Sequence, residues 1–285
     1  MKAVVLGAAG QLGQSVVATA RARGHQVSAW SRSEGNITEP KTLAAALRAA
    51  TPGVVFNCAA YARVDEAEDE PDVAMAVNAW ALRDLARLAT ELGFILVHFS
   101  TDFVFDGVAD RLHTETDPTN PGGVYATSKL IGERFAADTE RHYTLRVESL
   151  FGGPKAKSSV DMLLRGLIDG RTVTPFADRT VTPSYVEDVA NAACALVETG
   201  APFGLYHCVN TGATTWYDLT VHAASLLGRP TSLIAPARMA GLTMRVPRPL
   251  KAALSNAKLS AAGVVMPTWQ DALARYVATL TSRPR

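Results

Sequence analysis

Tyr125 and Lys129 stand four residues apart in VYATSKLIGERF. On a helix such residues share one face. A lysine cation beside a phenol favours the phenolate, lowering the tyrosine pKa from about 10 towards neutrality. A phenol tuned in this way gives and takes a proton beside a carbonyl that gains or loses a hydride. A partner precedes the pair: the apolar run ILVHFS ends in Ser100, followed by Thr101 and Asp102. The Thr101 hydroxyl is suited to hydrogen-bond the reacting oxygen and stabilise charge developing there. Asp102 reads equally as an acceptor for a substrate hydroxyl and as a cap for the next turn.

These side chains need elements to position them. Short β-branched or aromatic runs at 3–6, 27–30, 54–57, 95–100 and 143–147 predict strands, and amphipathic runs at 11–23, 40–49, 73–92 and 125–138 predict helices between them. Such alternation makes an α/β fold, a doubly wound parallel sheet of Rossmann type, with ligands at the carboxyl ends of the strands. Thr101 falls at one such end, and the YxxxK helix follows it. Residues 107–123 read as a loop. Further on, helices are predicted at 159–170 and 186–198, a strand at 205–209, and helices at 215–227 and 269–280 around a Pro- and Arg-rich stretch.

The first predicted strand runs into a glycine-rich turn, KAVVLGAAGQLGQ. Gly7 permits the sharp turn, Gly10 lets backbone approach a pyrophosphate, and Gly13 allows close packing of the helix opened by Gln11 and Leu12. The second strand ends in Trp30, Ser31, Arg32 and Ser33 with no acid among them. A free ribose 2′-hydroxyl is usually held there by an acid, whereas a 2′-phosphate wants a cation. Arg32 and the hydroxyl of Ser31 therefore favour NADP(H) and leave NAD(H) open as a second cofactor. Asn36 and Ile37 are placed to meet adenine, and Asn78 to hydrogen-bond near the cofactor. The expected organisation is a dinucleotide-binding domain at 1–153, completed by about 176–210, and a smaller substrate lobe from 154–175 and 211–285.

Composition narrows the class of partner. The net charge of +1 offers no basic field for nucleic acid, and no apolar run reaches the length of a membrane span. Cys58, Cys194 and Cys208 are odd in number and widely spaced, which fits reduced thiols better than disulfides or a zinc knuckle. No signal peptide is visible at MKAVVLG, so the expected location is cytoplasmic. His98, within an apolar strand, reads as a core residue, and the acidic run 65–70 as a solvated helix start.

Taken together, GAAGQLGQ, NCAAYARVDEAEDEPDVAMAVNA, STDFVFDG, NPGGVYATSKLIGE, GLYHCVNTGATTWYDL and RPLKAALSNAKL resemble the dTDP-4-dehydrorhamnose reductase family of the extended short-chain dehydrogenase/reductase superfamily. The resemblance spans almost the whole chain. It implies reduction of a 4-keto nucleotide sugar by NADPH, with Tyr125 protonating the oxygen, Lys129 orienting the nicotinamide ribose and Thr101 polarising the carbonyl. It also implies that Ala59, Ala60 and Tyr61 border the cofactor. Asp102, Asp65 and Ser149 are candidates for substrate contact, and Arg245 and Arg248 for its diphosphate. Three departures stand out. Ser149 takes the place of an expected tryptophan, 178–184 carries altered polar groups, and Ser15 stands where some members have a metal-bridging glutamate, so no metal is expected. A homodimer is left open. An epimerase or dehydratase, and a non-catalytic NADP-binding subunit, are the competing readings. Phe103 after Asp102 speaks against the dehydratase, because a second acid is missing there.

Overall fold

The computed structural model describes residues 1–155 and 157–282. Its centre is a six-stranded sheet, all neighbours parallel. The first five strands are β1 (Lys2–Leu6), β2 (Gln26–Trp30), β3 (Val54–Asn57), β4 (Ile95–Thr101) and β5 (His142–Val147), each within a residue of its expected bounds. Between them run α1 (Gln11–Ala22), α2 (Pro40–Ala50), α3 (Pro71–Met75), α4 (Ala81–Leu92) and α5 (Gly123–Ala136). Pro40 and Pro71 open their helices, where a missing N–H costs nothing.

Strand periodicity explains the two layers. Ala3 and Val5 point into one core with Phe56 and Val97, while Val4 and Leu6 point into the other with Val55 and Leu96. The first core is closed by α1, α6 (Ser159–Ile168) and α7 (Val186–Thr199), the second by α2 and α4. The sheet order places β2 on one side of β1 and β3, β4 and β5 on the other. The chain thus changes direction between β1 and β3, the position at which such sheets bind ligands.

The remaining strands are short. β6 (Leu150–Phe151) pairs with β8 (Ser184–Tyr185), and β7 (Thr180–Val181) pairs with β10 (Thr214–Thr215). β9 (Gly204–His207) returns to the main sheet beside β5. α8 (Trp216–Leu226), α9 (Ala257–Ala261) and α10 (Trp269–Thr281) complete the second half.

The helix expected at 73–92 differs in one way that matters. It begins at Pro71, and a π turn, Ala76–Trp80, separates α3 from α4. A π turn pushes a carbonyl out of the regular ladder. Here the Asn78 carbonyl meets α5 at Gly132, where an added Cβ would lie 2.0 Å from that oxygen. Gly132 lets α5 approach this closely, and α5 carries Tyr125 and Lys129.

Candidate active site

β4 is buried along its whole length and delivers Thr101 to the carboxyl edge of the sheet. Thr101 Oγ1 accepts a hydrogen bond from the Phe103 N–H (3.2 Å) and donates to Asp102 Oδ1 (3.1 Å). The first bond caps a single 3-10 turn at Asp102–Val104. The Tyr125 ring meets Phe103 edge-on at 5.8 Å, and its phenol lies near enough to Thr101 for that hydroxyl to act on its ionisation. Thr101 and Tyr125 thus lie at one corner, on either side of Phe103.

The electrostatics of that corner differ from expectation. Burial pushes Tyr125 up to about 12; the Thr101 hydroxyl opposes the push, and the Asp102 carboxylate adds to it. Lys129 is itself buried and pushed down to about 8. Its Nζ donates to the Phe99 carbonyl (2.6 Å) and lies 3.4 Å from His98 Nε2. The lysine is thus anchored to β4, and desolvation outweighs any cationic pull on the phenol. His98 is fully buried and lies 3.3 Å from Asn57 Nδ2 as well as on Lys129, a core residue that supports the lysine.

A second acid, absent from the linear motif, comes from the exit of β5. Glu148 is 1% exposed and its Oε2 accepts from the Thr182 N–H (2.7 Å) and hydroxyl (2.5 Å). Burial and the nearby Asp102 charge push Glu148 up to about 8, while burial raises Asp102 to about 6 against the pull of Arg179. Arg179 Nη2 lies 3.7 Å from Asp102 Oδ2, with the guanidinium over the rings of Phe103 (5.7 Å) and Trp216 (5.6 Å). Asp102 Oδ2, Glu148 Oε1 and Arg179 Nε are buried without a hydrogen-bond partner among the described residues. An acid directly after the strand, in RVESLFG, was the available signal. Ser149 next to it adopts a left-handed backbone (φ 44°), uncommon for a residue with a Cβ.

On the other side of the glycine turn lies a cavity of about 600 Å³. Its lining joins Gly7 and Gly10 to Ser31, Arg32, Asn36 and Ile37 beyond β2, and to Ala59, Ala60 and Tyr61 beyond β3. Ala9, Arg63 and Lys155 also line it and were not anticipated. Gly7 has φ +69°, and a Cβ there would lie 2.6 Å from the Ala59 N. The N-cap of α1 is Gly10, with no side-chain cap, so the first helical N–H groups remain available to an anion. This cradle fits a dinucleotide pyrophosphate.

Gln11, Leu12, Gly13 and Asn78 also make contacts within the protein. The Gln11 side chain donates to the Gly152 carbonyl (2.8 Å) and Asp161 (3.3 Å), and Leu12 is packed in the core. Gly13 packs against the turn itself, since a Cβ would lie 2.3 Å from the Gly7 carbonyl oxygen. Asn78 bonds both the N–H and the carbonyl of Tyr61 (2.9 Å each) and Ser128 Oγ (3.0 Å). It clamps the cavity's third segment to α5 with its own amide fully engaged. Beyond β2, the expectation of no acid is also corrected. Glu34 follows one residue past Ser33 and folds back to accept from the Ser31 N–H (2.9 Å) and the Ser31 hydroxyl.

A second cavity, of about 630 Å³, is lined by Asp106, Asp178, Arg238, Arg248 and Lys251 among others. The acidic run 65–70 reaches towards this half of the chain instead of standing free in water. Asp65 pairs with Arg248 (2.7 Å), Asp69 pairs with Arg245, and Glu68 accepts from the Val124 N–H (2.7 Å) at the start of α5. Among the described residues no cluster of His, Cys, Asp and Glu has the makings of a metal site.

This geometry has known counterparts. The model of the family described as RmlD substrate binding domain matches residues 1–282. The chain belongs to that family. It is 35% identical to a dTDP-4-dehydrorhamnose reductase of Streptomyces griseus, across 98% of this chain and 94% of the relative. It is 36% identical to one of Mycobacterium tuberculosis, across 96% and 92%. Among solved structures, the dTDP-4-dehydrorhamnose reductase of Bacillus anthracis in complex with NADP superposes with a TM-score of 0.91 at 26% identity, covering 98% of this chain and 99% of that one. The shared fold over nearly the full length of both chains bears out the α/β Rossmann expectation.

Proposed function

We propose that this chain is an NADPH-dependent reductase of the cytoplasm that converts dTDP-4-dehydro-L-rhamnose to dTDP-L-rhamnose. The observation that carries the reading is the Thr101–Tyr125 corner, with Lys129 on the same helix, on a chain of this family. The cavity at Gly7, Gly10 and Ala59 would hold the dinucleotide, whose nicotinamide supplies the hydride to C4. Arg248 and Lys251 are the cations suited to the sugar nucleotide's diphosphate.

The protein's share of the chemistry is a proton and a polarised oxygen. A phenol raised to about 12 is protonated at neutral pH, so Tyr125 enters the reaction as a donor. As C4 gains a hydride, the Tyr125 O–H bond breaks and the new C4 hydroxyl forms. The Thr101 hydroxyl, directed at Asp102 before substrate arrives, turns to the C4 oxygen and stabilises its growing charge. Lys129 has three donors and directs them at Phe99 and His98 on one side, leaving capacity for a ribose hydroxyl on the other. The test is to mix purified protein with dTDP-4-dehydro-L-rhamnose and NADPH, follow NADPH absorbance, and identify the product by mass and NMR. Formation of dTDP-L-rhamnose is expected; a lack of turnover on this sugar would overturn the reading.

A further inference from the structure

The segment that follows β2 is a closed turn, with the Gly35 N–H bonded to the Ser31 carbonyl (2.9 Å). Its start is fixed to the glycine loop by the Ala8 N–H on the Trp30 carbonyl (3.0 Å). Closing the turn brings Glu34 back over Ser31, where it accepts from both the N–H and the hydroxyl. The Ser33 hydroxyl lies 2.8 Å from the Ser31 hydroxyl and completes the cluster. These bonds hold the Glu34 carboxyl below the usual carboxylate range, so it is ionised at neutral pH. Ser31 and Arg32 line the dinucleotide cavity. Arg32 has no ion-pair partner among the described residues.

A 2′-phosphate at this turn would call on the Ser31 N–H, the serine hydroxyls and Arg32. Glu34 already engages the N–H and hydroxyl of Ser31 and puts a negative charge into the same short turn as Arg32. A free 2′-hydroxyl has the opposite need, an anionic acceptor at the end of this strand. We infer that Glu34 is a specificity-determining residue that opposes Arg32, accepting NADH and restraining the preference for NADPH. The inference rests on the dinucleotide reading of the cavity. It differs from a turn that Glu34 merely caps, in which case its charge would not bear on cofactor choice.

The test is calorimetric titration with ADP-ribose and 2′-phospho-ADP-ribose, which differ only in the phosphate. Glu34→Gln is the cleanest variant, because its carboxamide oxygen still accepts from Ser31 while the charge is gone. The wild-type protein is expected to bind the two probes within about fivefold of each other. Glu34→Gln should shift the ratio about tenfold towards the phosphorylated probe, the scale of one charge-assisted contact. Arg32→Ala should shift it about tenfold the other way. The kcat/KM ratio for NADPH over NADH should follow. An unchanged probe ratio in Glu34→Gln, with both probes still bound, would overturn the inference and leave the dinucleotide site standing. Absence of ADP-ribose binding to the wild-type protein would instead sink the site itself.

Discussion

The two ends of the site are built on different physics. At the catalytic corner, Thr101, Asp102, Lys129 and Glu148 are buried, and desolvation dominates the large shifts of Tyr125, Lys129 and Glu148. At the cofactor rim, Arg32 and Glu34 are exposed, and hydrogen bonds within one turn dominate the shift of Glu34. A charge in the corner is costly to change because few groups and little water can compensate. A charge at the rim is screened, so altering it retunes binding without disturbing the fold.

The sharpest way to break this contrast is Tyr125→Phe. Removing the proton donor should lower kcat by about 10² to 10⁴-fold, while ADP-ribose binding by calorimetry stays as in the wild type. Near-wild-type turnover would refute the corner's role. Gly132→Ala probes the packing beneath it, because the added Cβ meets the Asn78 carbonyl backbone. Overpacking of that kind costs about 1–3 kcal/mol, to be read from denaturant unfolding.

Glu148→Ala should destabilise by about 1–3 kcal/mol, since the Thr182 N–H and hydroxyl lose their acceptor. Glu148→Gln should cost less. Its pH dependence is the sharper measurement. Glu148 is raised from 4.5 to about 8 on folding, so the folded protein binds a proton that the unfolded chain has released. Stability from this group is fully present below about pH 4.5 and is lost as pH rises towards 8, at up to about 1.4 kcal/mol per unit. Unfolding free energies across that window should slope downward in the wild type and less steeply in Glu148→Gln; equal slopes would show that Glu148 does not carry the proton. The smallest effect is expected from Arg245→Ala, which breaks the exposed pair with Asp69. Its melting temperature should stay at the wild-type value, and a marked drop would show that surface charge matters more than the contrast allows.

Much of this was legible from local pattern. Strand runs 54–57 and 95–100, the glycine turn and the YxxxK helix all depend on neighbours a few residues apart, so their periodicity and turn chemistry survive in the chain itself. The π turn at Ala76–Trp80 was not legible, since its compensation lies at Gly132 on another helix. The role of Glu148 was not legible for the same reason: it is distant in sequence from Asp102 but meets its field across the fold. Glu34 is different. It was local and was missed because only the closed turn returns it to Ser31.

The sequence by itself determined the order of strands and helices, the dinucleotide turn and the presence of Thr101, Tyr125 and Lys129 at a strand end and on a helix. These follow from side-chain size, polarity and spacing. Only the tertiary structure decided how those groups behave. Burial, acting through neighbours contributed by β4, α5 and the exit of β5, leaves Tyr125 a proton donor, anchors Lys129 on Phe99 and sets Glu148 against Asp102. Desolvation is a property of the packed site, and no window of sequence contains it.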